Sequence, residues 1–434
     1  MRRRERKAAL LFARTARNRW SHLIRSRAHS TIQVKNITKS KPAHSDGCRV
    51  RGGYAIETEA VTPSFLVIAC DLRENQRSMA LRLPKQDYHD IERVIELDFV
   101  RATEAAALNS LRWLGRGDKE AADAAASDAI RGMFDLMNIC GEVVIGEGIK
   151  DEAPGIFKGE QLGTWYPGSP EFHIAIDPID GTTNISKGAP NSISCIAAAS
   201  PEEGVKVALR DIPSFYMSKL AYGPRVIEYM KKRGDSLHLD MEIAEMLAIV
   251  AHAVNKRVQD VAVMMLDRPR HKEIVEQIRA AGASLRMIGD GDIAAAIAPS
   301  LPEADVDLYM GIGGSPEAVL AAAAIKCLGG DMQCRMWPRD EKERKSLVGD
   351  GHEQDLSRVY AADDLANGQN IIFCATGISD SALLQGVRAR GGVTALTHSI
   401  LMRAKSKTVR FVRARHDLQV KTIRLRSDNR EHIL

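Results

Sequence analysis

The run Asp177-Pro178-Ile179-Asp180-Gly181-Thr182 follows directly on the apolar stretch Ile174-Ala175-Ile176. A short apolar run that stops at carboxylates and a glycine reads as a buried strand ending in a ligand-binding turn. Pro178 biases Asp177 towards an extended backbone, so that Asp177 and Asp180 converge around the turn. Two hard oxygen ligands and a phosphate-sized pocket at one strand end point to metal-assisted phosphate chemistry. Related arrangements recur along the chain. Glu147 lies between Gly146 and Gly148 after Val143-Val144-Ile145, and Asp290 and Asp292 flank Gly291 after Leu285 to Ile288. Glu317 follows Gly311-Ile312-Gly313-Gly314-Ser315-Pro316, in the first turn of a helix. Taken singly, each acid is a cap or turn residue, or a dipole partner for a helix start. The ordered set is what carries the chemistry.

The same alternation sets the fold expectation. A helix through Leu97, Val100, Leu108 and Leu111 stops near Gly115 and Gly117, and a second carries Ala126, Ile130, Met133, Phe134 and Met137 on one face. Strands are expected at 143–145, 173–176, 193–198, 284–288 and 370–374, with Val306, Leu308 and Met310 alternating. Helices are expected at 293–298 and 316–328. This is an α/β chain of layered helices and sheets. Three regions are read: a basic extension at 1–78, an N-terminal metal-binding lobe at 79–250 and a C-terminal substrate-binding lobe at 251–434. The charged stretch Pro338 to Leu356 reads as an exposed excursion.

Charge and composition narrow the partners. The formal net charge is +5, yet Met1 to Ala43 holds 13 Lys or Arg against one acid, Glu5, so the remainder is acidic. The basic start resembles an organelle transit peptide, or an upstream extension with Met79 as the true start. Aromatics at 5% argue against base-stacking surfaces, and no nucleic-acid partner is expected. The seven cysteines form no C-x-x-C pair and read as reduced thiols. No apolar run near the start is long enough to span a bilayer, and no membrane partner is expected.

Asp177 to Asn184 resembles the signature of the metal-dependent sugar and inositol phosphatase superfamily. The wider pattern is similar to its class II fructose-1,6-bisphosphatase branch. The matching segments are Trp113-Leu-Gly-Arg-Gly-Asp-Lys119 with Asp123, Val144-Ile-Gly-Glu-Gly148 with Asp151, Arg268-Pro269-Arg270-His271, Asp290-Gly291-Asp292 and Gly311 to Glu317. The resemblance runs from about Glu96 to the C-terminus. It implies an α/β/α/β sugar-phosphatase-like fold of two tightly joined lobes, with Mn²⁺ or Mg²⁺ as cofactor. It also implies that Asp123 and Glu147 hold one metal, and Asp177, Asp180 and Glu317 another. Lys119, Asp151 and Thr182 would lie near the nucleophilic water. Tyr216 would bind the sugar, and Arg268, Pro269 and Arg270 would meet the distal phosphate. Asp290 and Asp292 would accept sugar hydroxyls, while Gly181, Gly291 and Gly314 would border the substrate.

The implied reaction removes the 1-phosphate of fructose 1,6-bisphosphate, with sedoheptulose 1,7-bisphosphate as a second substrate, in gluconeogenesis or the carbon-reduction cycle. A cytoplasmic homo-oligomer is expected, or an organelle enzyme if the basic start is a transit peptide. Two alternatives stay open: an inositol- or nucleotide-phosphate phosphatase, and a sugar-phosphate-binding protein without turnover. Many class II enzymes carry Glu where Asp180 stands, which makes this ligand one methylene shorter. The W-D-x-G motif of inositol monophosphatases is absent.

Overall fold

Ile193–Ala199 contains only apolar or small residues, and the strand it forms is buried along its whole length. Such a run needs cover on both faces, and the architecture supplies it. A computed structural model describes residues 91–146, 155–428 and 430–433. The basic segment 1–78, Cys48, Cys70, Glu147 and Asp151 lie outside the described residues.

In chain order the strands are β1 (Cys140–Ile145), β2 (Gln161–Leu162), β3 (Glu171–Asp180), β4 (Ile193–Ala199), β5 (Tyr216–Tyr222), β6 (Ala262–Leu266), β7 (Ser284–Ile288), β8 (Leu308–Gly314), β9 (Asp331–Met336), β10 (Tyr360–Ala361), β11 (Ile371–Gly377), β12 (Arg388–Arg390), β13 (Thr394–Arg403), β14 (Thr408–Asp417), β15 (Thr422–Leu425) and β16 (Arg430–Ile433). The helices that matter here are α1 (Ile91–Ser110), α2 (Lys119–Phe134), α3 (Thr182–Lys187), α4 (Pro224–Arg233), α5 (Ile243–Val254), α6 (Lys272–Ala280), α7 (Asp292–Ile297), α8 (Ser315–Leu328) and α9 (Glu341–Gly349).

One sheet runs β12-β13-β11-β4-β3-β1-β2, with β14 paired along β13; the other runs β10-β9-β5-β8-β6-β7. Helix α8 packs against strands of both sheets and is apolar nearly all round, as a helix between two sheets must be. Helix α7 joins it in that middle layer. Helices α1 and α2 cover the far face of the first sheet, and α4 to α6 that of the second. The expected layered α/β fold is borne out. The first sheet draws strands from 140–199 and 371–417, and the second from 216–361. The boundary read at 250 thus falls inside the second sheet, between β5 and β6.

The expected strands and helices all form, with ends moved by a few residues. Leu97 is 48% exposed, while Ile95, Phe99, Ala102 and Ala106 form the packing face of α1. Leu97 lies two residues from both Ile95 and Phe99, about 200° round the helix, so all three cannot face inward. The charged stretch Pro338 to Leu356 is largely exposed, as expected. It forms α9, buries Leu347 and brings Arg339 and Glu343 into a cavity wall. The cysteines Cys140, Cys195, Cys327, Cys334 and Cys374 are free thiols. Among the described residues no helix is long and apolar enough to cross a membrane.

Helix α2 touches the β15–β16 hairpin through Gly132. A Cβ there would stand 2.1 Å from the Arg424 carbonyl oxygen. Alanine is the better helix former, by about 1 kcal/mol over glycine, but this contact outweighs propensity. Gly132→Ala is therefore expected to lose about 1–3 kcal/mol of stability through overpacking. Denaturant unfolding checks it, and a raised midpoint would refute the close-approach account.

Candidate active site

Two strand ends meet at the site. Strand β3 continues through Asp177 and Asp180, with a register shift against β4 between them, then turns at Gly181 with φ +95° into α3. Strand β7 ends at Ile288, and the chain turns at Gly291 with φ +81° into α7. One side chain ties these turns together. Asn191 Nδ2 donates to the carbonyls of Asp290 at 2.7 Å and Gly291 at 2.6 Å. Asn184 Nδ2 donates to Asp290 O at 3.0 Å and to Asn191 O at 3.1 Å. A Cβ on Gly181 would lie 2.6 Å, and one on Gly291 2.3 Å, from the Asn191 carbonyl oxygen. Both positions therefore combine a left-handed backbone with no room for a side chain.

The carboxylates cross between the turns. Asp180 Oδ2 accepts the N–H of Ile293 at 3.0 Å, capping α7. Asp290 Oδ2 accepts the N–H of Thr183 at 3.0 Å, and its Oδ1 faces Arg268 Nη2 at 3.2 Å. Both oxygens of Asp290 thus already hold protein donors. Asp292 Oδ2 meets the buried ammonium of Lys219 at 2.7 Å and the Tyr309 hydroxyl at 3.3 Å. The glycines of β8 make room for this. A Cβ on Gly313 would lie 1.8 Å from Asp292 Oδ2, and one on Gly314 would lie 1.9 Å from Glu317 Oε2.

These side chains wall a cavity of about 680 Å³. Asp177, Asp180, Gly181 and Thr182 line it from β3 and α3, and Asp290, Gly291 and Asp292 from the second turn. Gly314 and Glu317 come from the start of α8, and Tyr216, Arg268 and Arg270 complete the wall. Burial pushes the Asp180 carboxyl well up, reinforced by Asp292, Glu317 and Asp290. Burial and Asp292 push Glu317 up to about 7, against Lys219. Burial alone would lower the Lys219 ammonium, but Asp292 and Glu317 outweigh it and hold it above its ordinary value.

His271 sets the arginine loop. Its Nδ1–H donates to Leu266 O at 2.6 Å, and its Nε2 accepts the Ile312 N–H at 2.7 Å. This pattern requires the neutral ring, and burial lowers its pKa accordingly. Arg270 then gives Nε and Nη2 to Ile312 O and lies over Tyr216 at 4.7 Å.

Acids at strand ends around a cavity with arginines on its wall are the elements that a phosphate-ester site needs. Residues 93–416 match the family described as bacterial fructose-1,6-bisphosphatase, glpX-encoded. The chain belongs to that family. It is 41% identical over 340 residues to the fructose-1,6-bisphosphatase class 2 of Haemophilus influenzae, covering 76% of this chain and 97% of the relative. It is also 37% identical over 345 residues to fructose-1,6-bisphosphatase 1 class 2 of Escherichia coli, covering 76% and 97%.

Against this fructose-bisphosphatase background, most of the residues read from sequence come together. Lys119 and Asp123 do not line the cavity. Lys119 starts α2, half-exposed, 3.7 Å from Glu120. Asp123 sits on the same helix, which packs on β3 and α3; burial, opposed by Arg131, lifts it to about 6. Pro269 opens the short turn between the two arginines. Gly146 lines the cavity, and Glu147 and Asp151 beyond it lie outside the described residues. Sequence reading gave no role to Lys219, Asn184, Asn191, His271, Tyr309, Phe215, Arg339 or Glu343. Asn184 and His271 stood inside quoted motifs, which was their only signal.

The donor set suits a hard divalent cation. Among the described residues, the buried oxygens Glu317 Oε2 and Asp123 Oδ1 have no hydrogen-bond partner. Also among them, no three acidic, His or Cys side chains already stand in a metal-holding arrangement. The crowding of Asp180, Asp292 and Glu317 is relieved by any cation brought between them, and the family is metal-dependent.

Lys219→Met leaves Asp292 buried without its partner. Removing one member of a buried pair costs about 3–5 kcal/mol, and adding Asp292→Asn should recover most of it; a double-mutant unfolding cycle tests this. The raised acids also set a pH dependence. A carboxyl raised when folded binds more protons in the native state, so its contribution is full below the unfolded value and lost as pH rises. For Glu317 the window runs from 4.5 to about 7. Metal-free protein is expected to melt lower at pH 8 than at pH 5. Glu317→Gln should flatten that fall, and Mn²⁺ should raise the melting temperature more at pH 8. An identical Mn²⁺ effect at both pH values would contradict this account.

Proposed function

We propose that this chain hydrolyses the 1-phosphate of fructose 1,6-bisphosphate, giving fructose 6-phosphate and inorganic phosphate in the gluconeogenic direction. The observation that carries the reading is a single cavity joining Asp177, Asp180 and Glu317 to Arg268, Arg270 and Tyr216. Family membership supports it. Asp177, Asp180 and Glu317 would hold Mn²⁺ or Mg²⁺, which would supply Lewis acidity and shield phosphoryl charge. Thr182 lies beside these acids, and its hydroxyl orients the attacking water. The water oxygen bonds to phosphorus as the bond from phosphorus to the C1 oxygen breaks; the water gives up one proton, the C1 oxygen takes up one, and the sugar leaves as the alcohol. Asp292 Oδ1 is buried and without a hydrogen-bond partner among the described residues, which suits it to accept a sugar hydroxyl. Sedoheptulose 1,7-bisphosphate shares the reacting end and belongs to the same proposal, as does a cytoplasmic location.

Phosphate release with Mn²⁺, with and without EDTA, tests the reading on fructose 1,6-bisphosphate, inositol monophosphate and a nucleotide monophosphate. Release from the sugar bisphosphate that EDTA abolishes is expected. Glu317→Gln should cut turnover by roughly a hundredfold or more with the fold intact. Preference for inositol monophosphate would move the assignment to the neighbouring branch.

A further inference from the structure

Two consecutive aromatic rings on the cavity wall each carry an arginine. The Arg270 guanidinium lies 4.7 Å from the Tyr216 ring centre and that of Arg339 lies 4.5 Å from Phe215. The two rings meet edge to face at 4.9 Å. A guanidinium stacked on a ring has its plane fixed and its edge left for acceptors.

The edges are used differently. Arg270 spends Nε and Nη2 on Ile312 O. Arg268 gives Nη1 to Gly289 O and Nη2 to Asp290. Arg339 Nε lies 3.3 Å from Glu343 Oε2. Glu343 also accepts the backbone N–H groups of Phe215 at 2.7 Å and Arg339 at 3.0 Å, locking the ring to the start of the excursion. Among the described residues neither Nη group of Arg339 has a hydrogen-bond partner. A planar fork with two parallel donors matches two oxygens of a phosphate.

A phosphate drawn among Asp177, Asp180 and Glu317 needs a metal to offset their charge. A second phosphate finds cations without one at Arg270 and Arg339. We propose that Arg339 is a specificity-determining residue, whose outer fork binds the phosphate that is not hydrolysed and makes the cavity prefer bisphosphates to monophosphates. This rests on the phosphatase reading above.

The test compares kcat/KM for fructose 1,6-bisphosphate and for glycerol 2-phosphate, with Mn²⁺, in the full-length wild type, R339M and R339K. Methionine keeps an apolar contact with Phe215 and removes the fork; lysine keeps charge without the fork. R339M is expected to lower the bisphosphate-to-monophosphate ratio roughly ten- to hundredfold, mainly through KM for the bisphosphate, with R339K between. Melting temperatures check that each variant folds. An unchanged ratio, or equal losses on both substrates, would overturn the inference, the latter marking Arg339 as a support for the Phe215 loop. A wild-type protein that releases phosphate from neither ester would refute the functional reading instead, and the inference with it.

Discussion

One amide side chain holds the site together. Asn191 donates to the backbone of the second turn while its own carbonyl oxygen rests against the α-carbons of Gly181 and Gly291. Its backbone adopts φ +77°, a conformation that asparagine tolerates better than most residues. Through it the end of β3, in the first sheet, and the turn after β7, in the second, are fixed against each other. The placing of Asp180 over the start of α7, and of Asp290 over Thr183, follows from that contact.

Charge is the second constraint. The site gathers acids that burial and mutual repulsion push towards protonation, and Lys219 meets part of that cost from inside the protein. A lysine at this depth is unusual. Its pairing with Asp292 explains the bare α-carbon at Gly313, just as the folded-back Glu317 explains Gly314. The glycine-rich approach to α8 thus makes space for the protein's own carboxylates.

The strand ends were legible because apolar runs, glycines and acids alternate over short distances. Asp177, Asp180, Asp290, Asp292 and Glu317 were found that way, and the order of their motifs suggested the family. Lys219 was not, because a lysine in β5 looks like a solvated residue until the neighbouring strand is known. Asn191 was missed for the same reason: its partners lie about a hundred residues away. Arg339 and Glu343 were hidden in a stretch whose charge reads as solvent exposure.

Strand β14 pairs with β13 along all ten of its residues, and no further strand among those described covers its other side. An edge of that length, where it is left open, is a template on which sheets of neighbouring molecules can add. Arg410, Arg413 and Arg415 stand along it at a spacing that keeps cationic groups in reach of any incoming strand. A second copy approaching edge to edge would bring arginines against arginines. Cationic side chains placed along an edge in this way oppose edge-to-edge pairing between copies of a chain.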